Sequence, residues 1–190
     1  ANTGYRIHSH YVSMIEDRSG RILAKMEPEI AGENAPRTLD ARNAYVMTNM
    51  MSDVVRFGTA AKARSLGRND LAGKTGTTND ANDAWFAGFQ PNLVSVVWIG
   101  FDQPKSLGNN ETGGAAALPV WINYMAKALK DVPEVSYPVP EGIVVQTLQT
   151  DKGPRDEYFY QEFTQTNPAL GFGNSTDAPA PLDEIKNLLF

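Results

Sequence analysis

Cysteine is missing from this sequence altogether, which removes disulfides, thiolate nucleophiles and Cys-ligated zinc and leaves either redox compartment open. Histidine is nearly missing: His8 and His10 are the only two. On a strand they would share a face, where metal binding is conceivable, but no carboxylate cluster lies near them and surface or packing roles are the simpler reading. Positive charge is in deficit, with 17 Lys and Arg against 22 Asp and Glu and a net charge of −5. No basic patch emerges, so nucleic acid is a poor partner, and the acidity reads mostly as solubility. Nor is there an apolar run of about 18 residues to span a bilayer. The opening "ANTGYRIHSHYV" lacks the charged start and apolar middle of a signal peptide. Such a beginning is what an internal or C-terminal fragment of a longer protein would show.

The composition is otherwise ordinary for a globular chain, 42 % hydrophobic and 21 % charged over 190 positions, enough for one sizeable core. Residues 5–16 and 21–26 read as extended runs joined by "DRSG", a hairpin. Asp40 has the character of a helix N-cap. Ala44, Met47, Met51, Val54 and Val55 then recur at helical spacing as a core-facing stripe, and Gly58 closes the helix. A short helical turn is expected in "GTAAKARSLG". Strand-like segments at about 71–77, 84–89 and 93–101, with short connections, predict an antiparallel meander. "LVSVVWIGF" is apolar on both faces and reads as a central strand covered on both sides. Pro119 suits a first helical turn, with Leu118, Ile122, Met125 and Leu129 as the buried stripe of a helix to about 130. One more strand is expected at 143–149. Residues 1–150 form the domain and 151–190 a mostly irregular extension. Tyr158, Phe159, Tyr160 and Phe163 are expected to anchor that extension, and "LDEIKNLLF" to form a final helical turn or two.

The chemistry is concentrated in "LGRNDLAGKTGTTND", residues 66–80. Gly73-Lys74-Thr75 ends like a phosphate-binding loop. That loop needs its first glycine where Arg68 stands, and Gly67 is one residue too far. It also needs a buried strand before it and a helix after it, so that the helix N-terminus faces the phosphate. "KARSLGRND" is not an apolar strand, and "TTNDAND" leads to another strand, so nucleotide binding is rejected. Read instead as Lys74-Thr75-Gly76, the same residues supply one part of a three-part serine acyl-transferase signature. The other parts are Ser-x-x-Lys and a Ser-x-Asn-like element. Gly76 removes a side chain, so another backbone can approach closely, which suits a peptide laid along a strand edge. Thr75 and Thr77 offer hydroxyls that can hold a carboxylate. Lys74 supplies a positive charge that favours that carboxylate and eases proton transfer between hydroxyls.

"LAGKTGTTNDANDAWFAGF", "VVWIGFD" and "ETGGAAALPVWINYM" together resemble the class A, bifunctional, high-molecular-mass penicillin-binding proteins, in the C-terminal portion of their transpeptidase domain. In that family "GKTGTT" is followed by an Asp-x-Trp-Phe-x-Gly strand, a Trp-x-Gly strand and a Gly-Gly…Ala-x-Pro-x-Trp helix. Here these are Asp83 to Gly88, Trp98 to Gly100, and Gly113 to Trp121. "RNAYVMTNMMSDVVRFGTAAKA" resembles the family's helix and Gly-Thr segment ahead of the lysine. The resemblance covers roughly residues 38–130 well and the rest loosely. Within it, Trp85, Phe86, Trp98 and Trp121 read as core packing, Gly113-Gly114 as a turn before the helix, and Asp83 as a cap or tether on the lysine's loop.

The resemblance implies an α/β (α+β) fold, an antiparallel sheet flanked by helices as in penicillin-binding proteins and β-lactamases. It implies peptidoglycan DD-transpeptidation through an acyl-serine, with no metal or organic cofactor, on the extracytoplasmic side of a bacterial inner membrane. Lys74 and Thr77 would be catalytic; the Thr77 N–H would be one of two oxyanion donors, each worth about 2.7–4 kcal/mol. Thr75, Gly76, Thr77 and Thr78 would bind substrate, Thr78 being equally readable as a plain polar strand end. The implied partners are peptidoglycan stem peptides, β-lactams and an upstream transpeptidase segment, with membrane contact only through an anchor outside this sequence.

One requirement fails on this chain. None of its nine serines is followed three positions later by lysine, or two positions later by asparagine. The sequence therefore carries the lysine strand and one oxyanion donor but no nucleophile, and the isolated chain is expected to be inactive. Two rival readings share the triplet: a β-lactamase-like serine hydrolase, and a non-catalytic module binding peptide or glycan by the same strand edge.

Overall fold

Short segments of small, β-branched and aromatic residues set up an antiparallel meander, which the computed structural model places at the centre of the first of two compact units. The structure describes residues 1–150 and 153–164. The first unit runs Ala1–Pro138 and the second begins at Val139. Strand β3 (Ala72–Thr77) pairs with β4 (Ala84–Gln90), and β4 pairs in turn with β5 (Leu93–Ile99). The order is β3-β4-β5, so among the described residues β3 and β5 are both edges of this sheet. Two earlier strands, β1 (Met14–Glu16) and β2 (Ile22–Lys25), form the expected hairpin around "DRSG". Its first arm is shorter than predicted, since residues 5–13 join a ladder only through the Tyr5–Arg37 bridge.

Period-two alternation decides which face of the meander is covered. Ala84, Phe86 and Gly88 are buried while Trp85 and Ala87 are exposed. Helix α2 (Leu118–Ala128) lies over the inner face. Trp121 meets Phe86 edge to face with ring centroids 4.9 Å apart, and its indole N–H donates to the Ser95 carbonyl at 3.2 Å. Leu71, Phe86, Leu118, Trp121 and Met125 form the middle of the core. A single turn of π-helix, Gly113–Ala117, leads into α2, and Pro119 occupies its first turn as expected.

Two packing expectations are overturned on the other face. β5 is an edge strand rather than a central one, and its Val94, Val96 and Trp98 are exposed. Trp85 and Trp98, expected in the core, face each other across the strands at 5.9 Å and are 41 % and 43 % exposed. An apolar face records what a residue prefers to touch; coverage depends on what the rest of the fold brings there.

Helix α1 (Ala41–Arg56) begins where the sequence indicates. The Asp40 carboxylate accepts the Arg42 N–H at 2.9 Å, and that bond holds its pKa below the usual range. The helix packs against β3 with small residues: Ala44, Thr48, Ser52 and Val55 are buried. The predicted stripe is borne out in part: Ala44 and Val55 are buried and Val54 packs against the core, Met51 is half-buried, and Met47 is 49 % exposed. Small side chains let the helix axis approach the strand closely, and the longer Met47 stays outside.

In the second unit β6 (Ile143–Thr150) pairs along its length with β7 (Gly153–Tyr160), followed by one helical turn, α3 (Gln161–Thr164). Residues 153–160, read from the sequence as irregular, are thus a strand. "GPRDE" carries little strand propensity of its own, and pairing supplies the order, including a Thr147–Asp156 side-chain bond of 2.7 Å. Tyr160 and Phe163 stack edge to face on each other. The helical turn expected in "LDEIKNLLF" lies outside the described residues. No described helix is long and apolar enough to cross a membrane.

Candidate active site

Strand β3 is anchored at its start. Asp70, nearly fully buried, takes a two-pronged ion pair from Arg68 at 2.9 and 2.6 Å. Arg68 also donates to the carbonyls of Val132 (2.6 Å) and Pro133 (3.1 Å), and Asp70 accepts the Val135 N–H at 3.2 Å. The hydrogen bonds to Asp70 raise the pKa of the guanidinium above its already high value. This latch ties the entrance of β3 to the segment that follows α2.

The far end of β3 is closed by a network around Asp83. Its carboxylate accepts the Trp98 indole N–H at 2.9 Å, and its own N–H donates to the Thr78 hydroxyl at 2.8 Å. The tether read from the sequence is therefore present. Thr78 is occupied within the turn: its N–H donates to the Asp83 carbonyl at 3.1 Å, which puts that N–H on the β4 side. Successive residues of an antiparallel strand turn their N–H groups to alternate sides. The Thr77 N–H consequently faces the free edge of β3.

The same alternation separates the side chains. Thr75 and Thr77 project from one face of β3, and Lys74 starts from the other, opposite Ala87. Lys74 then curls to the free edge, where Nζ donates to the Thr75 carbonyl at 3.0 Å. On the hydroxyl side, Thr75 shares a 2.8 Å hydrogen bond with Thr59, and Thr77 accepts the Gly113 N–H at 3.0 Å. The backbone that comes close at Gly76 is that of Gly113. A Cβ on Gly113 would lie 2.5 Å from the Gly76 carbonyl oxygen and 2.3 Å from that of Trp85. Gly113-Gly114 is thus more than a turn: it lets the start of the α2 segment lie directly on the strand pair.

These pieces enclose a cleft of about 440 Å³ lined by Thr59, Lys62, Thr75, Thr77 and Thr112, with Gly114. Of the residues singled out from sequence, Thr75 and Thr77 line it, while Lys74, Gly76 and Thr78 do not. Thr59, Lys62 and Thr112 were not singled out. Thr59 stands 16 positions before Thr75, and only the Gly-Thr segment of the family resemblance pointed toward it. His8, away from this site, pairs with Glu29 at 2.9 Å. The bonds to His8 lower the pKa of the Glu29 carboxyl.

Comparison with known proteins identifies the family. Residues 1–126 match the family model described as the penicillin-binding protein transpeptidase domain. Penicillin-binding protein 1A of Neisseria gonorrhoeae is 50 % identical over 186 residues, covering 98 % of this chain and 22 % of the relative. That of Pseudomonas aeruginosa is 42 % identical over 174 residues, covering 86 % of this chain and 21 % of the relative. The crystal structure of penicillin-binding protein 1A from Haemophilus influenzae matches with a TM-score of 0.75 at 30 % identity, over 84 % of this chain and 30 % of that one. The chain spans about a fifth of the length of the curated relatives it matches. With its Lys-Thr-Gly strand on the free edge of an antiparallel sheet beside a cleft of hydroxyls, the chain belongs to the penicillin-binding protein transpeptidase family.

Proposed function

We propose that this chain is the Lys-Thr-Gly half of a peptidoglycan DD-transpeptidase site whose nucleophilic serine comes from an upstream segment. The observation that carries this reading is the geometry of β3: the Thr77 N–H faces the free edge, next to a cleft lined by the Thr75 and Thr77 hydroxyls. In the reaction, the serine oxygen bonds to the carbonyl carbon of the penultimate D-Ala. The C–N bond breaks, and D-Ala leaves with the proton lost by the serine. An amine of a second stem peptide then attacks the ester, releasing the serine with its proton restored. The Thr77 N–H stabilises the oxyanion in each step. Lys74, at the strand edge, favours proton movement between serine hydroxyls. A β-lactam occupies the same site through its carboxylate and acylates the serine.

An upstream segment has a surface to cover. The outer face of the sheet exposes Trp85, Val94, Val96 and Trp98, and β5 presents an unpaired edge among the described residues. By the same reading the domain lies on the extracytoplasmic side of a bacterial inner membrane, held there through residues outside this sequence.

The test is intact-mass measurement after exposure to penicillin, on this chain alone and on the chain joined to an upstream segment carrying Ser-x-x-Lys and Ser-x-Asn. The joined protein gains one penicilloyl mass and releases D-Ala from a D-Ala-D-Ala peptide; the isolated chain does neither. A covalent adduct on the isolated chain, or none on the joined protein, would overturn the proposal.

A further inference from the structure

Strand geometry separates the two functions that the sequence assigns to Lys74. The hydroxyls suited to a substrate carboxylate, Thr75 and Thr77, line a cleft that Lys74 does not reach, and Lys74 itself donates to the Thr75 carbonyl at the edge. A carboxylate in that cleft would still benefit from a cation, and the cleft contains one: Lys62, in the 3-10 helix Ala61–Leu66 that precedes β3. Lys62 is exposed and forms no ion pair among the described residues, so its charge is uncommitted. Among the described residues, no Asp or Glu lines the cleft to compete for it.

Thr59 completes the arrangement. Its hydroxyl lies 2.8 Å from that of Thr75. When Thr59 donates, Thr75 is left with its hydrogen free to point into the cleft, as an anion requires. Gly114 keeps this wall thin, since a Cβ there would lie 3.0 Å from the Thr59 carbonyl oxygen.

We infer that Lys62 is a specificity-determining residue of the transpeptidase site, supplying with Thr59 and Thr75 the charge and hydroxyls that hold the terminal carboxylate of the peptide or β-lactam. The inference rests on the acyl-transfer reading above and deepens it. A long-range role in electrostatics separates cleanly from a structural one, because only the former depends on the ligand's charge.

The experiment compares second-order acylation rates of the chain joined to its upstream segment with a penicillin and with the methyl ester of the same penicillin. Lys62→Met is expected to slow the free acid about fivefold, the scale of one solvent-accessible charge pair, and to leave the ester rate unchanged. Lys62→Arg is expected to restore the acid rate, and added salt to erase the difference between parent and Lys62→Met. Equal loss for acid and ester, or no loss for either, would overturn the role of Lys62 while leaving the transpeptidase reading intact. Failure of the parent protein to be acylated by either compound would bring down both.

Discussion

At the scale of single residues, Tyr137 makes a sharp prediction. Its hydroxyl is buried with no hydrogen-bond partner among the described residues, and burial, reinforced by the nearby Asp70 carboxylate, raises its pKa well above the usual phenol value. A raised folded-state pKa means that the folded protein holds this proton while the unfolded chain gives it up. Stability is therefore fully present below about pH 10 and falls as the pH climbs from there toward the folded value. Alkaline spectrophotometric titration should show one of the seven tyrosines failing to ionise until the protein unfolds, and Tyr137→Phe should abolish that missing step. Normal titration of all seven in the folded state would contradict it. Residue types carried much of the candidate site in the sequence: Lys74 and Thr75 stand in a Lys-Thr-Gly triplet whose chemistry requires neighbours, and Thr77 directly follows it. Thr59 and Lys62 were not legible, because their relation to Thr75 is made by the fold bringing two separate segments together. Nothing in local spacing distinguishes Lys62 from any other solvated lysine.

Single elements were read more securely than their faces. The bounds of β3, β4 and α2 and the start of α1 follow from alternation, short connections, Pro119 and the Asp40 cap, all of which act over a few residues. The buried face of α1 followed only in part: Ala44 and Val55 were foreseen, but helix-to-strand distance rather than hydrophobicity selects Thr48 and Ser52 over Met47. How β3 is held leads to two expectations. Arg68→Ala would leave the Asp70 carboxylate buried without its partner and should destabilise the first unit by about 3 kcal/mol, the low end for breaking a buried pair. The midpoint of denaturant unfolding measures this, and an unchanged midpoint would show the latch to be dispensable. Gly113→Ala would drive a methyl into the carbonyls of Trp85 and Gly76, both of which are backbone and cannot rotate away. The strand pair must shift, at about 1–3 kcal/mol, and with it the Thr77 N–H. Acylation of the joined protein should fall by more than tenfold. Equal rates for parent and Gly113→Ala would show that the approach of this turn does not set the strand's position.

For the molecule as a whole, composition foresaw one sizeable core, and the first unit has it. The second unit's hairpin was half hidden, because β7 opens with polar and charged residues that acquire strand geometry only by pairing with β6. The outer face, left open among the described residues, was invisible for a different reason: an apolar strand looks the same whether or not its partner is present. That face has an optical consequence. Of the three tryptophans, Trp121 sits fully buried against the sheet, while Trp85 and Trp98 lie side by side and partly exposed. Emission from this chain alone should be a mixture, part of it red-shifted and open to quenching by acrylamide. Joining the upstream segment should shift that part to the blue and shield it, and the change should vanish in Trp85→Phe/Trp98→Phe. On the proposed reading, the two indoles would report assembly of the site by colour, before any substrate is added.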